Sequence, residues 1–331
     1  MKRQVGRKWS VGVVLATVSV GMLVSPLVVS ASDRVTQKEQ CSMAVFSKPA
    51  AKADHICDEQ TVRKLARHGQ VFEQNQMGIA SILGIAASSD AKDALKWFEE
   101  AAHKGYAPAQ VNLAVMYSNG WGTAPNQATA LHWLQAAAAQ EYGRAYYNLG
   151  VLFMEGKGVR QDYGEAMRYF EKGAAAGDSR AQNNAGYLYD HGLGVKQDLS
   201  KAAQLYKQAA DAGDPMGESN LADLFLRGEG VAANDAEAFR LFEQAAVQGH
   251  TGARIKLGYM YEEGRGTQRN AQAAYEWIMA ATLAGDQRGQ YLIKPLESKL
   301  TTEQIQRAKD RARVLYSDKG SSQVSAQAFL Q

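Results

Sequence analysis

Residues 181–213 read AQNNAGYLYDHGLGVKQDLSKAAQLYKQAADAG, and they spell one complete folding unit. Ala181, Ala185 and Tyr189 stand at offsets of zero, four and eight, which is one face of an α-helix. Gly192 and Gly194 come next; glycine enters the left-handed backbone region without a Cβ penalty and ends a helix there. Asp198 then supplies a side-chain oxygen of the type that accepts a bond from the free N–H groups at the start of a second helix. Ala202, Leu205 and Ala209-Ala210 give that helix an apolar face, and Gly213 closes it.

The same spelling returns every 36 residues, without a gap, from 73 to 286. The first small column is Ala109, Ala145, Ala181, Gly217, Ala253, and the aromatic column eight residues on is Tyr117, Phe153, Tyr189, Phe225, Tyr261. Between them run Leu113, Leu149, Ala185, Leu221, Leu257 and the small column Ala114, Gly150, Gly186, Ala222, Gly258. A polar residue, Asn126, Asp162, Asp198, Asn234, Asn270, opens the second helix of each unit, and the pairs Asp162 with Glu165 and Asn234 with Glu237 have capping-box spacing. The second helix carries a large column, Trp97, Trp133, Tyr169, Leu205, Leu241, Trp277, opposite small residues, so that two helices interlock. Six units are present. The first lacks the glycine pair, and Glu141 replaces the closing glycine of another.

The motif Ala181-x-x-x-Ala185-Gly186-x-x-Tyr189-x-x-Gly192-x-Gly194, with Asp198, Ala202, Leu205, Tyr206, Ala209, Ala210 and Gly213 behind it, resembles the Sel1-like repeat, a relative of the tetratricopeptide unit with a longer, glycine-containing turn. The resemblance implies an all-α fold, a right-handed superhelical α-solenoid of antiparallel helix pairs, over residues 73–288. A solenoid exposes a face at each end that a neighbour would cover. Val62, Leu65 and Ala66 fit a half-unit cap in the N-terminal segment 32–72, and Ile305, Ala308, Ala312 and Leu315 fit a capping helix within 289–331, followed by a loose tail.

Residues 1–31 carry Lys2, Arg3, Arg7 and Lys8 before an uncharged apolar run, and Val29-Ser30-Ala31 has the small residues of a cleavage site. That pattern predicts an exported chain, periplasmic or secreted; an uncleaved inner-membrane anchor is the alternative, weakened by Pro26 and the serines within the run. The formal net charge of +3 becomes −1 once residues 1–31 are removed, which argues against an electrostatic nucleic-acid footprint. In an oxidising compartment Cys41 and Cys57 read as a disulfide, with two free thiols as the alternative.

Catalytic signals are sparse. The histidines fall in different units, no metal motif occurs, and the Gly-x-Gly loops lack the third glycine and the preceding strand of a nucleotide site. Ser89-Asp90-Ala91-Lys92 is an S-x-x-K, a spacing that chance supplies in a chain of this length, and its partners S-D-N and K-T-G are missing. Cysteine-rich members of the family that the repeats resemble act on β-lactams, but these repeats lack the cysteine pair of those members. No catalytic residue and no cofactor is expected; hydrolysis of a β-lactam or cell-wall peptide is the alternative.

A partner is expected on the concave face that the first helices line. Asn112, Asn148, Asn184, Asn220 and then Lys256 recur once per unit, as groups that hold an extended peptide backbone or that tie adjacent helices together. Tyr147, Tyr187 and Tyr259 offer rigid amphipathic area, or pack between units, while Asp223 and Arg227 give the face mixed charge. A protein or peptide segment fits that mixture better than a polyanion, with a glycan stacked on tyrosine as the further alternative.

Overall fold

The computed structural model describes residues 59–84, 86 and 90–320. The expectations on the leader, on Cys41 and Cys57 and on Ser89 lie outside the described residues, as does the part of the expected loose tail beyond 320; its first residues, 317–320, belong to the last helix instead. Fifteen helices and no strand occur among the described residues. In chain order they are α1 Glu59–Arg67, α2 Val71–Ile82, α3 Ala91–His103, α4 Ala107–Asn119, α5 Gln127–Ala138, α6 Gly143–Glu155, α7 Tyr163–Ala175, α8 Ser179–His191, α9 Leu199–Asp211, α10 Pro215–Arg227, α11 Asp235–Val247, α12 Thr251–Glu263, α13 Ala271–Leu283, α14 Arg288–Glu297 and α15 Thr302–Gly320. The first helices of the six repeats are the even-numbered α2 to α12, and the second helices are the odd-numbered α3 to α13. From α1 to α14 each helix packs on its neighbours in the chain, and α6, α8 and α10 also touch one another in succession. The result is an all-α solenoid of stacked helix pairs.

Local chemistry sets each boundary. Asn126, Asp162, Asp198, Asn234 and Asn270 each accept the backbone N–H three residues on. Only half of the capping box forms at Asp162 and Asn234: their own N–H groups bond back to Phe153 and Phe225, while Glu165 and Glu237 pair with Arg168 and Arg240. The aromatic column therefore receives the loop through its carbonyls as well as packing through its rings. The first glycine of each pair, from Gly120 to Gly264, ends its helix with φ between 66° and 73°. The second has a different reason to be glycine. A Cβ on Gly122 would lie 2.5 Å from the Ala91 carbonyl oxygen, and Gly158, Gly194, Gly230 and Gly266 rest in the same way on the second helix of the preceding repeat. The long turn is thus also a contact between repeats. Glu141, in place of a closing glycine, keeps the same left-handed conformation with φ 59°.

In the first four repeats the interlocking large column stands one residue later than the sequence suggests, while Leu241 and Trp277 of the last two are buried as expected. Trp97, Trp133, Tyr169 and Leu205 are only partly buried, whereas Phe98, Leu134, Phe170, Tyr206, Phe242 and Ile278 are at most 3% exposed. The physical reason is the small column of the first helix. A Cβ on Gly150 would meet the Phe170 ring at 2.5 Å, one on Gly186 would meet Tyr206 at 2.9 Å, and Gly78 and Gly258 bear on Phe98 and Ile278. Each such ring contributes on the order of 1.5–3 kcal/mol by burial, and the glycine opposite lets the helices close on it.

Both ends are closed by helices that are not full repeats. Val62 and Ala66 of α1 are buried against the first repeat. At the far end α14 and α15 both pack on α13, with Ala308 and Ala312 fully buried. A complete capping box starts α15: Thr301 Oγ1 accepts the Gln304 N–H and Gln304 Oε1 accepts the Thr301 N–H. Arg254 anchors it. From α12, nearly buried, its guanidinium donates to the carbonyls of Ala246, Ala280 and Leu315, joining α11, α13 and α15.

Candidate partner-binding face

The face of the first helices turned away from their second helices carries the expected binding residues, and the structure divides them into two groups. One group joins the stack. Asn112 Nδ2 donates to Asn75 Oδ1 and Asn220 Nδ2 to Asn183 Oδ1, both at 2.8 Å and both across to the preceding first helix. Lys256 reaches Asp223 at 2.9 Å, and Arg227 lies 3.5 Å from Asp190. Asn148 is buried and donates to the Arg144 carbonyl within its own helix. Asn184 is half-buried and accepts from Asn183. The bonds of Asn112 and Asn220 match the tying role that the sequence left open beside the peptide-holding one, whereas those of Asn148 and Asn184 stay within one helix.

The second group remains available to a ligand. Tyr187 and Tyr259 are 39% and 38% exposed, at the position where the second and third repeats place the buried Val115 and Val151. The Tyr187 ring lies 4.1 Å from the His191 ring, which fixes it as a flat platform. Tyr147 is different: its ring is half-buried under the Arg180 guanidinium at 4.6 Å. Arg180 is itself held by Asp178 at 2.7 Å, and close by Arg144 is pulled down to about 9, by burial first and by the Arg180 charge second. Asn112 Oδ1 and Gln76 Nε2, an acceptor and a donor at the same register of adjacent repeats, have no hydrogen-bond partner, but both are buried within the stack and neither faces a ligand.

Three features were missed by sequence reasoning. Gln76 belongs to the asparagine column but lies in the unit without the glycine pair. Arg144 and Arg180 stand in the first turns of α6 and α8, where no column of the repeat marks them. The third is the position that follows the Ala column, occupied by Gln74, Gln110, Gln182, Glu218 and Arg254; a long polar side chain there in five of six units was the signal.

A cleft of about 620 Å³ opens on the other side, between α9 and α11, floored by Leu221 and Phe225. Its charges answer one another, Lys207 with Asp211 and Arg240 with Glu237. Among the described residues no group of three or more His, Cys, Asp or Glu is placed to hold a metal ion, and no helix is long and apolar enough to cross a membrane.

No curated protein matches the chain. Among solved structures, a Sel1 repeat protein from Oxalobacter formigenes is similar at 26% identity and TM-score 0.61, over 74% of this chain and 97% of that one. The c5321 protein of uropathogenic Escherichia coli, a protective antigen displaying an SLR fold, is similar at 23% identity and TM-score 0.46, over 88% of this chain and 69% of that one. The Sel1 repeat model matches six times in succession, at residues 74–106, 107–142, 143–178, 179–214, 215–250 and 252–286.

Proposed function

The chain belongs to the Sel1 repeat family, and on that premise we propose that it is a non-catalytic scaffold that binds an extended protein or peptide segment along the face of its first helices. The observation that carries the reading is the pair of exposed tyrosines, Tyr187 and Tyr259, held two repeats apart on one face of a stiff stack. Aromatic rings on rigid helices provide contact area at low conformational cost, as anchors of interfaces do. Asp223, Lys256 and Arg227 add charge of both signs beside them, which favours a mixed polypeptide over a polyanion. Export to the bacterial envelope or beyond, with adaptor, assembly or regulatory work there, is supported by the leader-like residues 1–31.

The test places a photo-crosslinking residue at Tyr187 in cells that make the protein, and identifies the adduct by mass spectrometry. One dominant protein adduct is expected, lost when Tyr259→Ala or Asn184→Ala is added and helicity is intact. Adducts at a control position on the opposite side, such as Gln204, with none at Tyr187 would move the site to the cleft between α9 and α11. Labelling by a fluorescent penicillin, lost in Ser89→Ala, would replace the scaffold with the hydrolase reading.

A further inference from the structure

In the first, second and sixth repeats the position after the Ala column makes the same link to the preceding unit, whereas the Oε1 of Gln182 in the fourth has no hydrogen-bond partner. Gln74 Nε2 donates to the Ala66 carbonyl, Gln110 Nε2 to the Ala102 carbonyl and Arg254 Nε to the Ala246 carbonyl, each acceptor eight residues back at the end of the preceding second helix. In the two glutamines that make this link the other end of the side chain is held as well. Gln110 Oε1 accepts from Gln140 Nε2, and Gln74 Oε1 accepts from Lys104 Nζ, each donor thirty residues on. In the fifth repeat this position is Glu218, 4% exposed. Its Oε2 accepts from Gln248 Nε2 at 2.8 Å, again thirty residues on, so the accepting half of the link is intact. The donating half is not: where glutamine has an NH₂ group, a carboxylate has a second acceptor, and the carbonyl eight residues back, which Gln110 meets at Ala102, is here that of Ala210. That carbonyl belongs to the end of α9, the negative end of a helix dipole.

We infer that Glu218 is a proton-operated latch between the fourth and fifth repeats, closed when its carboxyl is protonated and donates to the Ala210 carbonyl, open when the carboxyl is ionised. No other group changes its bonding: the proton comes from solvent and returns to it. The inference does not depend on the partner-binding reading.

The surroundings agree with it. Burial, the largest cause, pushes the Glu218 carboxyl up to about 7, against the Gln248 hydrogen bond, which favours the charged form. The charged groups facing it are Asp214 at the start of its own helix, which raises it further, and Arg240 from α11, which lowers it. Asp211, at the end of α9, acts on Arg240. Because the folded carboxyl holds its proton to about 7 and the unfolded one releases it near the ordinary 4.5, the folded state binds more protons in that window. Stability from this group is therefore full below about pH 4.5 and falls until about pH 7.

The test compares the full chain with Glu218→Gln, which restores the amide of Gln110 in the same shape. Chemical-denaturation midpoints and hydrogen exchange of residues 205–224 are followed from pH 5 to pH 8. The two proteins are expected to agree at pH 5 and to separate as pH rises, with Glu218→Gln the more stable and the better protected at pH 8. Parallel profiles would overturn the latch, because a purely structural carboxylate would shift both by a constant. The reciprocal variant Gln110→Glu keeps the test open should the first not fold. It is expected to acquire a new loss of protection between pH 5 and pH 8 at the junction of α3 and α4, and a profile unchanged from that of the natural protein would likewise overturn the proposal.

Discussion

Phe170 and Gly150 make the sharpest test of how the repeats are built, because a methyl group at one should change sign of effect with the residue at the other. A Cβ on Gly150 would stand 2.5 Å from the Phe170 ring, well inside contact distance, and the ring is fully buried. Alanine in place of a helical glycine gains about 1 kcal/mol of backbone stability. Against that, an added methyl group in a closed core costs about 1–3 kcal/mol, so Gly150→Ala should leave the protein unchanged or up to ~2 kcal/mol weaker. Phe170→Ala alone should cost about 3–5 kcal/mol through burial lost and cavity left. In that background the Gly150 methyl group meets empty space. It keeps the backbone gain and buries one carbon, worth about 0.8 kcal/mol, so Gly150→Ala should now stabilise by roughly 1–2 kcal/mol. The assay is urea denaturation of the four proteins of the cycle, read by circular dichroism, with hydrogen exchange over residues 145–175 as the local probe, since repeat arrays unfold in parts. A methyl group that moves both backgrounds in the same direction would refute the interlock of ring and glycine.

Other outcomes follow from single contacts. Arg254→Met should free α15, because three carbonyls on three helices lose their donor; a new proteolytic cut near 300 with α2 to α12 intact would show it, at a cost of about 3 kcal/mol or more. Gly230→Ala should destabilise more than Gly213→Ala, since both have φ above 70° but only Gly230 also meets the Leu199 backbone. About 1–2 kcal/mol is expected for Gly213 and a larger loss for Gly230, and equal losses in thermal melts would deny the contact between repeats. His250, whose ring accepts the Ala253 N–H, is lowered to about 4 by burial first and by the charges of Arg288 and Arg254. Its folded form resists the proton that the unfolded form takes near 6.5, so stability present above pH 6.5 is lost as pH falls toward 4. His250→Asn, which keeps a cap, should flatten that acid limb, and an unchanged limb in urea midpoints would count against it.

The architecture was legible because its signal is repeated. One Ala or one glycine says little, but a small residue returning in step over five units leaves few helical arrangements that bury it. Helix starts were equally clear, since Asn and Asp at Asn126, Asp162, Asp198, Asn234 and Asn270 have a local partner three residues away. What failed depended on a neighbour in space. Trp97 and Phe98 are adjacent and both large, and the choice between them is made by Gly78 on another helix. Glu165 and Glu237 had correct capping-box spacing, but arginines one turn on drew their side chains away. The asparagine column carried two meanings because an amide serves a neighbouring helix and a peptide with the same atoms. Only the bond from Asn112 to Asn75 and that from Asn220 to Asn183 show where the first meaning applies.

The unbroken step of 36 residues gives the stack an interchangeable character. Because the turn of each unit rests its second glycine on the unit before, every internal boundary presents nearly the same surface to its neighbour. Excising one whole unit, for example 179–214, would bring like against like at the new joint and shorten the molecule without remodelling its ends. Length, and with it the span between Tyr187-like anchors, can therefore be adjusted by copying or deleting sequence in whole steps, whereas an insertion of even two residues would turn every later side chain to the wrong side.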